Sequence, residues 1–443
     1  MKTLSTPSKS HRRFTGCVVA LVAAGLVAIQ AQGTRVSERW VGTWATAVVS
    51  SQQRFDLPAS LRRTPPPQPS GTARPAPQPP IQSFNNQTVR QIVHTSIGGS
   101  RLRVVFSNAF GPAPLAIGAA GVALRGLDAS IAAGSSRPLL FAGKAATMIP
   151  AGAVVFSDPV NLTFAPFADL AIDAYLPGDT AGMPLTMHSG ALQTNYVSEA
   201  GDHTGKTDFP TARTVASWYF VGRVEVVAPE PVSAVVTLGD SITDGTASTA
   251  NANHRWPDDL AKRLASGSGA HMAVLNLGIG GNRLLSDGMG VSALTRFDRD
   301  VAAQTGVTDV IVLEGINDIG FAGDNSSPSA SDIIAAHHQL IARAHALGLK
   351  IFGGTLTPFD GAAYATAVGE AKRMDINKWI RTSGAYDGVV DFEAAVRDPK
   401  QPSKEILSFD PGDHLHLTDS GYQAMADAVD LRFFRMPARA SSR

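Results

Sequence analysis

The stretch Ala234-Val235-Val236-Thr237-Leu238-Gly239-Asp240-Ser241-Ile242-Thr243-Asp244-Gly245 decides how the second half of the chain is read. Its first five residues form a nearly continuous apolar run, as in a strand buried on both faces, and the run breaks at once into a polar turn between glycines. The same rhythm repeats outward from it. Trp256 to Leu264 has the period of an amphipathic helix, and Met272 to Leu277 is a second apolar run. Val307 to Leu313, Leu349 to Phe352 and Gly388 to Phe392 follow, with helical segments such as Asp332 to Leu347 between them. Strand alternating with helix predicts a parallel sheet with both faces covered. Residues 230–443 are therefore expected to form a three-layer α/β/α domain, in which ligands bind beyond the carboxyl ends of the strands.

Polar and glycine-rich clusters stand at those ends. The first run leads into Gly239-Asp240-Ser241-Ile242-Thr243-Asp244-Gly245, the second into Asn276-Leu277-Gly278-Ile279-Gly280-Gly281-Asn282, and the third into Gly315-Ile316-Asn317-Asp318. A fourth cluster, Asp413-His414-Leu415-His416, precedes the last helix. Each alone has a plain structural reading: a turn after a strand, glycines for tight backbone geometry, a helix cap. The glycines miss the G-x-G-x-x-G spacing, which argues against a dinucleotide site. Taken together, and in this order, the clusters supply what acyl transfer needs: a hydroxyl nucleophile, a histidine base, a carboxylate to orient it, and donors for an oxyanion.

These four clusters closely resemble the motifs of the SGNH (GDSL-type) hydrolase family, over about residues 232–436. The resemblance implies Ser241 as nucleophile, with Asp413 and His416 completing a catalytic triad. It implies an oxyanion hole built from the Gly281 backbone N–H and the Asn317 side-chain amide, to which the N–H of Ser241 can be added. Where the family usually has Leu after the serine, this chain has Ile242, which keeps the apolar character. A glycine at 281 would leave no Cβ in the substrate's path. G-x-S-x-G, the elbow of the α/β-hydrolases, is absent. The expected activity is carboxylic-ester hydrolysis. Removal of acetyl or another short acyl group from extracellular carbohydrate is the leading reading. A lipase or lysophospholipase acting on longer acyl esters, and a glycan-binding protein with an inactive hydrolase half, are the alternatives. No cofactor or metal is expected.

His414 stands beside His416, so position alone does not choose the base. A carboxylate and an imidazole three residues apart can meet across one turn of chain, which favours His416; in an extended segment His414 and His416 would share a face. Asp240 and Asp244 are expected to fix the nucleophile turn by local hydrogen bonds. His337 and His338 read as structural or surface residues on a helix. His188 and Asn195 are candidates to face the substrate from the first half. Pocket walls are expected from the loops Asp287 to Val291 and Phe321 to Ser329.

That first half has a different rhythm. Arg101 to Phe106, Val154 to Phe156, Asn161 to Phe164 and Leu170 to Leu176 read as short strands punctuated by Gly, Pro and Asn, which predicts an all-β sandwich-like domain over 36–228. The proline-rich stretch 64–80 reads as an exposed loop within it. Residues 1–31 read as a signal peptide: Lys2, Lys9, Arg12 and Arg13, then the apolar run Cys17 to Ile29, with Ala31 as the cleavage position. Arg12-Arg13-Phe14 leaves Sec and twin-arginine export both open. Secretion or a periplasmic location is therefore expected, with no integral membrane association after cleavage. Cys17, the only cysteine, would leave with the leader, which excludes disulfides and thiolate chemistry from the mature chain. The formal charge would fall from +1 to −3 with the leader's four basic residues, so nothing attracts nucleic acid. A small-molecule or carbohydrate ester is the expected partner. The sequence does not read out an oligomeric state.

Overall fold

Runs of Val, Ile and Leu without alternation can be buried only if both faces of their sheet are covered. The computed structural model, which describes residues 38–53, 82–229, 231–266 and 272–434, places them so. Five parallel strands lie in the spatial order Met272–Gly278, Ser233–Gly239, Val307–Leu313, Lys350–Gly354, Gly388–Val390. The second strand in the chain therefore sits on one side of the first and the remaining three on the other. Right-handed crossovers then put the helix Trp256–Ser266 on one face and Ala330–Ala346 on the opposite one. Trp256–Ser266 packs with Asp419–Ala428, and Ala330–Ala346 with Ala367–Thr382. The strand order reverses at Ser233–Gly239, so the crevice of this sheet opens beyond Gly239. Only part of the run Gly388 to Phe392 is strand. Asp391 accepts the Ala394 N–H at 3.1 Å and starts the helix Phe392–Val396.

From Trp40 to Val227 the described residues form strands in antiparallel pairs and no helix. Two larger sheets bury a common core. Leu102, Val104, Phe106, Val224 and Val226 enter it from one sheet, and Val89, Val93, Val122, Leu170 and Ile172 from the other. A smaller sheet joins Ser217–Tyr219, Thr186–Ser189 and Val49–Ser50. The leader read at 1–31 and the proline-rich stretch 64–80 lie outside the described residues.

The β-rich region and the α/β region have separate cores, yet residues Trp40–Arg443 cohere as one compact unit. The strand Trp40–Ala45 lies across Met272–Gly278, and Val41, Ala45, Ala47 and Val49 join the α/β core. Hydrogen bonds stitch this seam. Gly42 N–H donates to Thr305 O (2.9 Å), Thr305 Oγ1 to Glu225 Oε1 (2.6 Å), and Val274 N–H to Ser96 Oγ (3.1 Å). The last of these gives a partner to an outward N–H of the edge strand, which would otherwise invite pairing with another chain.

Candidate active site

Ser241 opens the four-residue helix Ser241–Asp244, directly after the central strand. Asp240 caps that helix: it is extended, and its Oδ1 accepts the Ile242 N–H at 2.9 Å. Gly245 ends it in the left-handed conformation. The helix rests on the neighbouring strand so closely that a Cβ at Gly278 would stand 2.2 Å from Asp244 N. Beneath the turn lies Arg296, fully buried. It donates to Gly239 O (2.9 Å), Leu277 O (2.7 Å) and Asn282 Oδ1 (2.9 Å), and pairs with Asp300 and Glu314. One guanidinium thus ties together the ends of two strands and the glycine-rich loop. Nothing in the sequence motifs marked it.

The acids around it feel their burial. Desolvation lifts Asp240 to about 7, against the opposing pull of the Ile242 N–H, His416 and Arg296. Burial lifts Asp318 to about 6 and raises Glu314 well above the usual carboxylate range, with the Asp240 charge adding to the latter.

The expected base, His416, comes from the loop before the helix Asp419–Ala428. His416 Nδ1–H donates to Asp413 Oδ2 (2.6 Å), which leaves Nε2 to accept from Ser241 Oγ (2.9 Å). Asp413 Oδ1 takes the backbone N–H groups of Leu415 (3.1 Å) and His416 (3.0 Å). Partial burial pushes the Asp413 carboxyl up, but the His416 ring and these N–H donors outweigh it and hold the group down at about 2. His414 does not share that face. It adopts a φ of 61° and bonds Asp410 instead, ring Nδ1 to Oδ2 at 2.5 Å.

The loop from Gly278 to Asn282 folds back over the strand ends. Ile279 N–H donates to Gly239 O and Asn282 N–H to Ile279 O, both at 3.0 Å. Gly281 has a φ of 69°, and a Cβ there would lie 2.3 Å from Met289 Sδ. The left-handed backbone favours the glycine, and the Met289 thioether lies against the space a Cβ would take. Asn317, on the helix Ile316–Ala322, donates one amide N–H to Asn282 O (3.0 Å), while its Oδ1 accepts from Tyr364 Oη (3.2 Å). The second amide N–H is thereby oriented. Asp318 secures the same loop from below by accepting the N–H groups of Leu284 (2.7 Å) and Leu285 (3.0 Å). Both expected wall loops border these groups: Met289 stands over Gly281, and Phe321 packs edge-on against Tyr364 at 5.5 Å.

The other residues singled out are placed elsewhere. His337 is buried, and its Nδ1 meets Tyr386 Oη at 2.6 Å; burial pushes it down to about 4. His338 is exposed against Trp379. Asn195 does not face substrate: it is buried in the β-rich region, where it accepts the Ile92 N–H (2.7 Å) and donates to Ser217 O (2.9 Å). His188 does not face substrate either. It is buried, with Nε2 on Asp244 Oδ1 at 3.0 Å. Asp244 therefore has a distant partner, whereas a local one was expected. Among the described residues no group of three or more His, Cys, Asp or Glu is arranged to hold a metal. No helix among them is long and apolar enough to cross a membrane.

No curated protein matches the chain. Solved structures with similarity to it include an aryl esterase from M. smegmatis, at 16% identity over 46% of this chain and 99% of that one, with a TM-score of 0.36. A GDSL-like lipase from Bacteroides thetaiotaomicron aligns at 18% identity over 45% of this chain and 89% of that one (TM-score 0.35). A carbohydrate acetylesterase from Sinorhizobium meliloti aligns at 16% identity over 44% and 95% (TM-score 0.34). The sequence model of the GDSL-like Lipase/Acylhydrolase family matches residues 237–424, the span that holds Ser241, Gly281, Asn317, Asp413 and His416. The C-terminal half of this chain thus carries a GDSL-like lipase/acylhydrolase domain with the SGNH hydrolase fold, the domain of a serine ester hydrolase.

Proposed function

We propose that the protein removes acetyl or other short acyl groups from carbohydrate outside the cytoplasm, using Ser241, His416 and Asp413. The observation that carries the catalytic part is the continuous relay Asp413 Oδ2–His416 Nδ1 at 2.6 Å and His416 Nε2–Ser241 Oγ at 2.9 Å. Ser241 Oγ attacks the ester carbonyl carbon while Nε2 takes its proton, and Asp413 stabilises the imidazolium that forms. The carbonyl oxygen, now negative, is held by the N–H groups of Ser241 and Gly281 and the free N–H of the Asn317 amide. On collapse the carbon–oxygen bond to the alcohol breaks, and His416 returns the proton to the leaving oxygen. Water, activated by the same ring, then releases the acid and restores Ser241.

Two observations support a short acyl group. Met289 stands over Gly281, and Tyr364 with Phe321 stands beside Asn317, so the oxyanion donors are flanked by large side chains on both sides. The apolar run Cys17 to Ile29 behind a basic start supports export, and with it an extracellular substrate. We take 36–228 as a sandwich-like domain that accompanies the hydrolase domain 230–443.

The test is an acyl-length series of p-nitrophenyl esters alongside acetylated oligosaccharides, following released acid. Highest kcat/KM at two to four carbons, with acetate released from oligosaccharide, is expected; a maximum on long chains makes the enzyme a lipase. Ser241→Ala is expected to lose ~10⁴–10⁶ in turnover and all labelling by an organophosphate. Ordinary activity in that variant removes Ser241 from the mechanism, and with it the whole reading.

A further inference from the structure

The β-rich region reaches the four-residue helix that carries Ser241 through a buried histidine. His188 lies on the strand Thr186–Ser189, paired with Trp218 across the small sheet. Its Nδ1 is 2.7 Å from Ala47 O and its Nε2 is 3.0 Å from Asp244 Oδ1. A carbonyl oxygen can only accept, and so can an ionised carboxylate. Both ring nitrogens must therefore carry protons, which makes this side chain an imidazolium paired with a carboxylate. Burial works against that charge, but Asp244 and the Ala47 carbonyl outweigh it, and the pKa of His188 is raised even with Arg255 opposing.

Asp244 is the right residue to be held. It ends the nucleophile helix, its N–H donates to Asp240 O at 2.9 Å, and its backbone is in contact with Gly278 at the base of the glycine-rich loop. A Cβ at Gly280, next to Gly281, would stand 3.9 Å from Asp244 Oδ2. One carboxylate therefore borders both the nucleophile and the oxyanion loop. The chain beyond it is tied to the β-rich region as well. Asn251 N–H donates to Leu192 O (2.8 Å), Asn251 Oδ1 accepts from Thr194 N–H (2.7 Å) and Gln193 Nε2 (2.8 Å), and Arg255 bonds Ala191 O.

We propose that His188 is a positioning residue for ester hydrolysis: by holding Asp244, it fixes Ser241 and the oxyanion loop relative to each other, so that the β-rich region is a working part of the active site. This inference rests on the Ser241 reading above. Misplacement by about 1 Å far from the reacting atoms can cost ~10²-fold in rate, because the oxyanion contacts are made fully only in the transition state. The effect should therefore fall on kcat and spare KM. It should also have a pH signature. The groups facing the His188 ring are Asp244 from the nucleophile helix, Arg255 from the start of the next helix, the Ala47 carbonyl and the uncharged Trp218 ring; Asp258 in turn pairs with Arg255. Above its raised pKa the ring loses the proton shared with Asp244, and a buried carboxylate is left facing a nitrogen lone pair. Activity should then fall on the alkaline side.

The experiment uses the full-length enzyme and measures kcat, KM and their pH dependence for His188→Ala, His188→Gln and His188→Ala/Asp244→Ala, with the rate of organophosphate labelling of Ser241. His188→Ala is expected to lower kcat and labelling by ~10–100-fold with KM within ~3-fold. His188→Gln, whose amide N–H can replace the Nε2 donor, is expected to recover most of the loss and to lack the alkaline fall. The double variant should be no worse than the poorer single one, as for two partners of one contact. Unchanged kcat in His188→Ala, a loss confined to KM, or additive effects in the double variant overturn the proposal. If His188→Ala does not fold, His188→Gln decides: an alkaline limb like that of the unsubstituted enzyme overturns it. These outcomes are distinct from failure of the Ser241 reading, which would show as activity in Ser241→Ala.

Discussion

Two histidines hold the helix Ser241–Asp244, His416 at its front residue Ser241 and His188 at its back residue Asp244, and the two differ in nearly every physical respect. In front, His416 comes from a surface loop, and its carboxylate lies three residues away and half exposed. Behind, His188 comes from a strand of the β-rich region, 56 residues from its carboxylate, and the pair is almost fully buried. The front ring must be neutral at Nε2 to accept a proton; the back ring must carry both protons to satisfy two acceptors. In the roles we propose, the same two residue types do opposite jobs, one moving a proton and the other holding a frame still.

The largest effect that tests this contrast is expected from the front. His416→Ala should lower kcat/KM by ~10⁴-fold or more, because the nucleophile loses its only proton acceptor. In the unsubstituted enzyme Asp413, held down at about 2, should stay ionised across the working pH range. A pH–rate profile with a loss attributable to a carboxylate near pH 4 would contradict the geometry. His188 variants should fall well short of the His416→Ala loss. If His188→Ala proved as damaging as His416→Ala in a folded protein, the distinction between base and frame would fail.

An intermediate effect is expected at Asn317. Asn317→Ala should lower kcat by ~10²–10³-fold with a smaller change in KM, the pattern of a donor that acts mainly in the transition state. A rise in KM alone would make Asn317 a binding residue. In this structure its amide is already committed at two points, to Asn282 O and to Tyr364 Oη. Asn317→Asp, which keeps the shape but puts a negative charge where the oxyanion forms, should be at least as damaging as alanine.

What the sequence reveals follows the same front–back division. The front was legible because its parts are local: a serine just past an apolar run, glycines just past another, and an aspartate three residues from a histidine. The parallel sheet was legible for a similar reason, since unalternating runs such as Val307 to Leu313 can be buried only between two layers of helix. The back was not. His188 carries no local pattern, and its partner is chosen by how two regions pack; the sequence pointed to it as a residue near the substrate, and the fold sets it on Asp244. Arg296 and Tyr364 escaped notice for the same reason. The helix Ala367–Thr382 was also not singled out, because its inward face includes Lys372, Arg373 and Asn377, which blur the apolar period. Those polar groups are satisfied by tertiary partners: Arg373 donates to Leu356 O and Glu393, and Asn377 to Leu356 O and Glu393.

The smallest effect should come from His414, and it sharpens the comparison because His414 differs from His416 only in where the loop turns it. Both rings donate Nδ1–H to an aspartate: His416 to Asp413 Oδ2 at 2.6 Å, His414 to Asp410 Oδ2 at 2.5 Å. The left-handed backbone at His414, with a φ of 61°, sends its ring toward Gly361, where a Cβ would stand 2.9 Å from His414 Cδ2. His414 thus braces the loop and has no bond to Ser241. His414→Ala should keep at least about a tenth of the activity, since the base and its carboxylate are intact. Its cost should appear in stability. Slight burial pushes Asp410 up, but the N–H groups of Gly412 and His414 and the His414 ring outweigh it and lower its pKa. A carboxyl with a lowered folded pKa adds stability above the ordinary carboxylate value of ~3.9 and loses it as pH falls through the folded value. Removing the ring should therefore lower Tm modestly at neutral pH, and the gap between variant and parent should close in acid. Thermal melts of both proteins from neutral pH into acid would show this. A gap that persists unchanged into acid would mean that His414 supports the loop by packing on Gly361 alone, and loss of activity on the scale of His416→Ala would mean that the two rings exchange roles in solution.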